Sequence, residues 1–169
     1  MCYIDGANLY RGISSLGWNL NYKLFHRWLY QKYAVMESYL FIGMISSNAS
    51  LYTSLQKYGF TLVFKEVIFD GNGKAKGNCD ADLIVQAVRD VYESGIRSAV
   101  LVSSDGDYVP LIKLWQEKNI HCTVLSPSAV NKCSVLIKRT GAPIVCLDEI
   151  KGKLKVSKNE KAPDAGVPA

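Results

Sequence analysis

Short apolar segments typical of β-strands alternate with amphipathic segments typical of helices along most of this 169-residue chain. The strand-like segments cover residues 1–4, 35–45, 60–69, 98–103, 121–125 and 144–147. The helix-like segments cover residues 9–16, 21–29, 48–58, 78–91, 107–118 and 129–139. Alternation of this kind needs crossover connections between parallel strands. It predicts an α/β fold, a three-layer α/β/α sandwich around a mostly parallel, doubly wound sheet.

The length of the chain suits one domain with a sizeable core. We predict a domain over residues 1–150 and a Lys-rich, disordered tail over residues 151–169. The tail carries five lysines against two acids, which gives it +3 of the total formal charge of +5. The basic excess is therefore mainly a property of the tail, and it is weak evidence for a nucleic-acid partner.

Composition argues against a membrane protein and against a disulfide-bonded protein. No stretch approaches the roughly 18 apolar residues of a membrane span, and no basic segment followed by an apolar run opens the chain. Five cysteines without C-x-x-C spacing fit neither a disulfide framework nor a zinc site. We therefore expect reduced core cysteines and a cytoplasmic protein without a membrane partner.

Two of the predicted strands end directly in acidic turns. Asp5 follows the first strand, and Asp105 and Asp107 follow the apolar run 100–102. In open α/β sheets this carboxyl edge is where ligands bind, beside the point where the strand order reverses. A cation would relieve the repulsion between such carboxylates. The alternative is that Asp105 caps the following helix and that Asp107 supports its dipole.

Asp80 and Asp82 open the helix that leads into the second of these strands. If the two strands are neighbours, all five acids converge on one cleft. Such oxygen ligands favour Mg²⁺ or Mn²⁺. His26 and His121 lie in a helix and at a strand start, where packing roles are more common than catalytic ones. Metal-activated water is then the most economical nucleophile, and two cations would favour in-line attack on a phosphodiester.

The acidic turns lie in three longer segments, Ile4-Asp5-Gly6-Ala7-Asn8-Leu9-Tyr10, Lys76-Gly77-Asn78-Cys79-Asp80 and Val102-Ser103-Ser104-Asp105-Gly106-Asp107-Tyr108. These segments resemble the three motifs of the NYN domain (LabA-like) family, which belongs to the PIN-like superfamily of metal-dependent ribonucleases. The resemblance covers about residues 1–150. It implies a PIN-like sandwich fold, RNA as substrate, and Mg²⁺- or Mn²⁺-dependent hydrolysis that leaves 5′-phosphate and 3′-hydroxyl ends.

By position, the resemblance assigns catalytic and metal-binding roles to five residues. Asp5 resembles the first metal ligand and Asp80 the helix-opening acid. Asp105 resembles the central metal ligand, and Asp107 the last acid, which acts directly or through water. Asn8 resembles the amide that hydrogen-bonds a carboxylate or the scissile phosphate.

One position departs from the family pattern. Many relatives carry another acid six residues after the first acid of that helix, where this chain has Gln86. Asp82 lies only two residues after Asp80, so it cannot take this place on the same helical face. The number of cations, one or two, is therefore left open.

Several other residues near the acidic turns are candidates for substrate contacts. Ser103 and Ser104 could bond a phosphate, or equally satisfy backbone groups of the turn. Basic candidates are Arg11, Lys76, Lys132, Lys138 and Arg139, the last three predicted on one helix, although helical lysines are usually solvated. Aromatic candidates for base stacking are Tyr10, Trp18 and Tyr108, with core packing the better interpretation for Trp18.

The first hypothesis is therefore a divalent-metal-dependent ribonuclease, endo- or exonucleolytic. The second is a binding module for RNA or a protein partner that keeps the acidic pocket and cleaves weakly or not at all. An aspartyl phosphatase would need a second acid at Ala7. A nucleotide-binding Rossmann domain would need a Gly-rich first turn. The sequence leaves a homodimer open.

Overall fold

The structure is a computed structural model that describes residues 1–65, 68–69, 75–76 and 79–156. Its strands are β1 (Cys2–Asp5), β2 (Ser38–Gly43), β3 (Phe60–Lys65), β4 (Ile68–Phe69), β5 (Ala75–Lys76), β6 (Ser98–Val102), β7 (His121–Ser126) and β8 (Ile144–Cys146). Its α-helices are α1 (Gly6–Ser15), α2 (Tyr22–Tyr33), α3 (Ala49–Lys57), α4 (Asp80–Glu93), α5 (Val109–Glu117), α6 (Val135–Arg139) and α7 (Lys151–Leu154).

Six strands form one sheet in the order β3-β2-β1-β6-β7-β8, and all of its pairings are parallel. The chain runs outward from β1 to β3 and then returns to β6 on the other side of β1. The strand order therefore reverses between β1 and β6, where Ile4 pairs with Val102. The predicted doubly wound, parallel α/β sandwich is confirmed.

The sheet has a buried cluster on each face, because successive residues of a strand point to opposite sides. Cys2 and Ile4 of β1 pack into a cluster with residues of α1, α2, α3 and α7. Tyr3 points the other way, into a cluster with residues of α4, α5 and α6. The two clusters make the three layers of the sandwich.

Helix α1 begins directly at the carboxyl end of β1, three residues earlier than the apolar pattern predicts. Two glycines allow its close approach to neighbouring backbone. A Cβ atom on Gly6 would lie 2.6 Å from the carbonyl oxygen of Phe41, and one on Gly12 would lie 2.8 Å from that of Pro127. A larger residue at either position would push α1 away from the strand ends.

The helix predicted over 129–139 is wrong in one respect. A 3₁₀ turn covers Val130–Lys132, and α6 begins only at Val135. Between them Cys133 is extended, and the Ser134 hydroxyl oxygen accepts a hydrogen bond from the Leu136 amide at 3.2 Å. Because this cap starts a new helix, Lys132 does not share a helix with Lys138.

The strand predicted over 60–69 is divided into two strands. β3 lies at one edge of the large sheet, whereas β4 pairs antiparallel with β5 in a separate two-stranded sheet. The division explains why the alternating pattern extends beyond Lys65. Residues 70–74, between β4 and β5, lie outside the described residues.

The first residues of the predicted tail pack against the domain. In α7 the Leu154 side chain is fully buried, and the Val156 amide donates to the Asn19 carbonyl at 3.0 Å. Leu154 thus extends the cluster on the α1 face of the sheet. Residues 157–169 lie outside the described residues, so their disorder stays a prediction.

The cysteines and the lengths of the helices are the two structural features predicted from composition. All five cysteines are free, and all except Cys79 are buried. Within the described ranges, no helix combines the length and apolar character that a bilayer crossing requires.

Candidate metal centre

The carboxyl ends of β1 and β6 bring Asp5 and Asp105 to the reversal point of the sheet. Asp5 caps α1, and Asp105 caps the 3₁₀ turn Gly106–Tyr108 that leads into α5. Asp5 Oδ1 accepts from the Asn8 amide at 2.9 Å, and Asp105 Oδ1 accepts from the Asp107 amide at 3.1 Å. The capping alternative is therefore correct for Asp105. It is compatible with cation binding, because a cap uses one carboxylate oxygen and leaves the other available.

Three carboxylates meet at this edge. Asp80, Asp105 and Asp107 each offer one oxygen, and these oxygens all lie within 4.8 Å of one another. Asp80 is half-buried at the start of α4, whereas Asp105 and Asp107 are exposed. Like charges at this separation repel one another, so a cation bound between them would stabilise the arrangement.

Asp5 lies next to this group and is only 7% exposed. The Tyr108 hydroxyl connects it to Asp80, donating to Asp80 Oδ1 at 2.6 Å and lying 3.2 Å from Asp5 Oδ2. Burial raises the pKa of Asp5, the hydrogen bond from Asn8 opposes this shift, and the charge of Asp80 adds to it. Burial, followed by the charge of Asp5, also raises the pKa of Tyr108. Tyr108 is therefore a neutral hydrogen-bond donor.

The expected convergence of all five acids is wrong for Asp82. Its Oδ2 instead accepts from Lys65 Nζ at 2.9 Å. Two residues along an α-helix correspond to a rotation of about 200°, so Asp82 points away from the face that carries Asp80. Four acids therefore gather at the edge, and the fifth forms a half-exposed ion pair beside it.

Gln86 faces a different carboxylate. Its Nε2 donates to Asp90 Oδ1 at 2.9 Å, and the Tyr3 hydroxyl donates to Asp90 Oδ2 at 2.8 Å. Asp90 is only 4% exposed. The position where many relatives have an acid thus serves a buried hydrogen-bond network in this protein.

A polar network connects the two acidic turns. Asn8 Oδ1 accepts from the Ser104 amide at 3.0 Å and from the Ser104 hydroxyl at 3.1 Å. The Ser104 hydroxyl also lies 2.8 Å from that of Ser128. Below it, the fully buried Ser103 hydroxyl accepts from the Asp105 amide at 3.1 Å. Asn8 and the serines thus fix the turn after β1 relative to the turn after β6.

The candidate basic and aromatic residues differ in their placement. Lys132 and Lys138 are exposed, on the 3₁₀ turn and on α6 respectively.

The prediction that Tyr108 stacks on a base is wrong, because its ring is fully buried. Trp18 is also buried, and its Nε1 donates to Asp148 Oδ1 at 3.1 Å, as expected for a packing residue. Tyr10 is half-buried against the core cluster of the α1 face.

The contact between Tyr108 and the acids is the feature that sequence reasoning missed. A tyrosine next to an acidic turn is equally compatible with packing, stacking or hydrogen bonding. The sequence therefore held no signal that separated these roles.

The chemistry of the donor set fits a hard divalent cation. All candidate ligand atoms in the group of three are carboxylate oxygens, which Mg²⁺ and Mn²⁺ prefer over sulfur or imidazole. The half-buried Asp80 together with two exposed acids leaves the site accessible from solvent. A ligand with phosphate oxygens could therefore share a cation held here.

Comparisons with known proteins identify the family and support the fold. The sequence model of the NYN domain matches residues 1–142. No curated protein matches the chain. A crystal structure of a protein of unknown function from Vibrio parahaemolyticus is similar, with a TM-score of 0.70 and 21% identity over 92% of this chain and 94% of that chain. At this identity the likeness shows the fold alone. The family match over most of the chain shows that this protein belongs to the NYN domain family, within the PIN-like nuclease superfamily.

Proposed function

We propose that this protein is a divalent-metal-dependent ribonuclease that hydrolyses phosphodiester bonds of RNA with water as the nucleophile. The observation that carries the proposal is the group of three carboxylate oxygens, from Asp80, Asp105 and Asp107, within 4.8 Å of one another at the reversal point of the sheet. Membership of a nuclease-like family supports the same reaction.

In this proposal, Asp80, Asp105, Asp107 and Asp5 would hold Mg²⁺ or Mn²⁺. A bound divalent cation supplies Lewis-acid activation of water and neutralises charge on the phosphate. The buried Asp5 would place a further carboxylate next to Asp80, in a position shielded from solvent. The exposed Asp107 orients water or binds directly. The expected products carry 5′-phosphate and 3′-hydroxyl ends.

Four residues would contact the RNA in this proposal. Asn8 and Ser104 lie between the two acidic turns, next to the proposed cation position. Lys132 and Lys138 are exposed and would contact phosphates away from the scissile bond. Ser103 would act differently, because its hydroxyl is fully buried and supports the Asp105 backbone.

A second function is favoured by Gln86. Its amide belongs to the buried Asp90 network, so helix α4 contributes no second acid at that position. A site with fewer acids could bind RNA or a protein partner with little or no cleavage. A nuclease assay with proof of cation binding separates the two functions.

The test is cleavage of a short end-labelled single-stranded RNA by the purified protein with Mn²⁺, with Mg²⁺ and with EDTA. We compare wild type with Asp105→Asn, because asparagine keeps the helix cap and removes the charge. We expect metal-dependent cleavage that falls by roughly 100-fold or more in the variant. Stability without cation should be unchanged or higher, since repulsion is relieved.

Asp82→Asn is the matched control, because it makes the same substitution next to the site but removes the charge from the Lys65 ion pair. It should cleave at the wild-type rate. If Asp105→Asn cleaves as fast as wild type, the assignment of the central ligand is wrong. If wild type binds Mn²⁺ in calorimetry but leaves both single-stranded and hairpin RNA intact, the binding module is the better function.

A further inference from the structure

The position of the Tyr108 side chain is determined by packing in the core. It closes the 3₁₀ turn Gly106–Tyr108, directly after Asp105 and Asp107. Its ring is fully buried among apolar residues that include Leu83 and Leu111. With the ring held in this way, the hydroxyl has a fixed position at the inner side of the acidic group.

The hydroxyl group is not needed for packing alone, since a phenylalanine ring would fill the same space. It needs hydrogen-bond partners because it is buried. Its partners are the carboxylate of Asp80, at 2.6 Å, and the carboxylate of Asp5, at 3.2 Å. A tyrosine hydroxyl has one hydrogen to donate, and the shorter distance identifies Asp80 as its main acceptor.

These contacts connect parts of the site that different elements supply. Asp5 ends β1, Asp80 begins α4, and Tyr108 follows β6. A donor between two carboxylates reduces their repulsion and restricts their rotation. Residues that hydrogen-bond metal ligands in this way orient them and tune the affinity for the metal.

We propose that Tyr108 is a positioning residue of the metal centre, whose hydroxyl holds the Asp80 and Asp5 carboxylates in the orientation that binds the divalent cation. This inference rests on the proposed function. Without the hydroxyl, Asp80 loses a fixed donor that orients its carboxylate toward Asp105 and Asp107. The cation then has to reorder the carboxylates at the cost of affinity.

The test is calorimetric titration of Mn²⁺ into wild type, Tyr108→Phe and Tyr3→Phe, without RNA. Tyr3→Phe is a matched control, since it also removes a fully buried hydroxyl that donates to an α4 carboxylate, Asp90. We expect Tyr108→Phe to bind Mn²⁺ roughly 10-fold more weakly. Tyr3→Phe should bind within about twofold of wild type, although urea should unfold both variants at lower concentration.

Each outcome decides the inference. Wild-type affinity in Tyr108→Phe overturns the positioning role and leaves the ribonuclease proposal intact. An equal loss in both variants also overturns it, because a general loosening of the fold would then explain the effect. If wild type binds no Mn²⁺, the proposed metal centre and the role of Tyr108 both fail.

A measurement on the wild-type protein covers the case in which Tyr108→Phe does not fold. Tyrosine labelled with ¹³C at Cζ reports on the hydroxyl environment, and its resonances can be assigned by through-bond correlation. Titration with the diamagnetic Mg²⁺ should shift the Tyr108 resonance and leave that of Tyr3 in place. Equal behaviour of the two resonances would overturn the proposal.

Discussion

Helix α4 carries two aspartates, Asp80 and Asp90, that accept hydrogen bonds from fully buried tyrosines, and their surroundings differ sharply. They lie about 15 Å apart along the helix. Asp80 is paired with Tyr108 and lies near two further acids at the sheet edge. Asp90 is paired with Tyr3 and with the Gln86 amide in the interior. The hydrogen-bonded pair of an aspartate and a tyrosine thus occurs once next to other carboxylates and once next to neutral donors.

The difference shows that neighbours, more than the pair itself, determine what a carboxylate contributes. Both Asp90 oxygens accept hydrogen bonds from neutral donors, which offset the cost of burying its charge. Asp80 lies next to other carboxylates, so their mutual repulsion costs stability, and a bound cation would offset this cost. Substitutions at the two ends of α4 should therefore have opposite effects on stability and on cation binding.

The largest effect on stability is expected for Asp90→Ala. The variant leaves the buried Tyr3 hydroxyl without its acceptor, which should lower the free energy of unfolding by about 2–3 kcal/mol. The affinity for Mn²⁺ should stay at the wild-type value. Urea unfolding and calorimetry measure the two quantities. A large loss of Mn²⁺ affinity would show that the two ends of α4 are coupled.

A smaller effect is expected for Gln86→Glu, which introduces the acid that the family resemblance implies at this position. The change removes the donor to Asp90 Oδ1 and places a second carboxylate beside it. We expect a loss of about 1–2 kcal/mol in unfolding free energy, largest at neutral pH and reduced in acid, where one of the two carboxyl groups is protonated.

Gln86→Glu also tests whether the side chain of residue 86 faces Asp80 or Asp90. The number of Mn²⁺ ions bound per chain should not change if residue 86 faces Asp90. An additional Mn²⁺ ion in the calorimetric titration, with increased cleavage, would instead show that residue 86 reaches the metal centre.

The smallest effect is expected for Asp82→Asn. Its partner Lys65 is half-exposed, and exposed ion pairs contribute little. The change in Tm should be less than about 2 °C. Asp80→Asn, two residues away, should weaken Mn²⁺ binding strongly. Similar calorimetric curves for the two variants would contradict the assignment of only Asp80 to the site.

The sheet and the meeting of Asp5 with Asp105 could be predicted because they depend on regular patterns. Apolar strands alternate with helices, parallel strands share a carboxyl edge, and the strand that begins the chain commonly lies at the reversal point. The same order of elements predicted that Asp80 and Asp107 reach this edge, and the family resemblance added their metal-binding roles.

Other features could not be predicted because they depend on the direction of single side chains. Whether Gln86 faces Asp80 or Asp90 depends on the exact rotation of α4 against the sheet. The buried hydroxyl of Tyr108 has no sequence signature. The interruption before α6 did leave a signal, since Ser134 is a common capping residue, but the apolar spacing of 129–139 favoured one continuous helix.

The hydrogen bonds between Asn8 and Ser104 join residues 96 positions apart in the chain. During synthesis, β1 leaves the ribosome early and must wait for β6 before its second edge is paired. Asp105, Asp107 and Tyr108 follow later still, so the acidic group forms only after residue 108 has emerged. A nascent chain that ends before this residue cannot assemble the group.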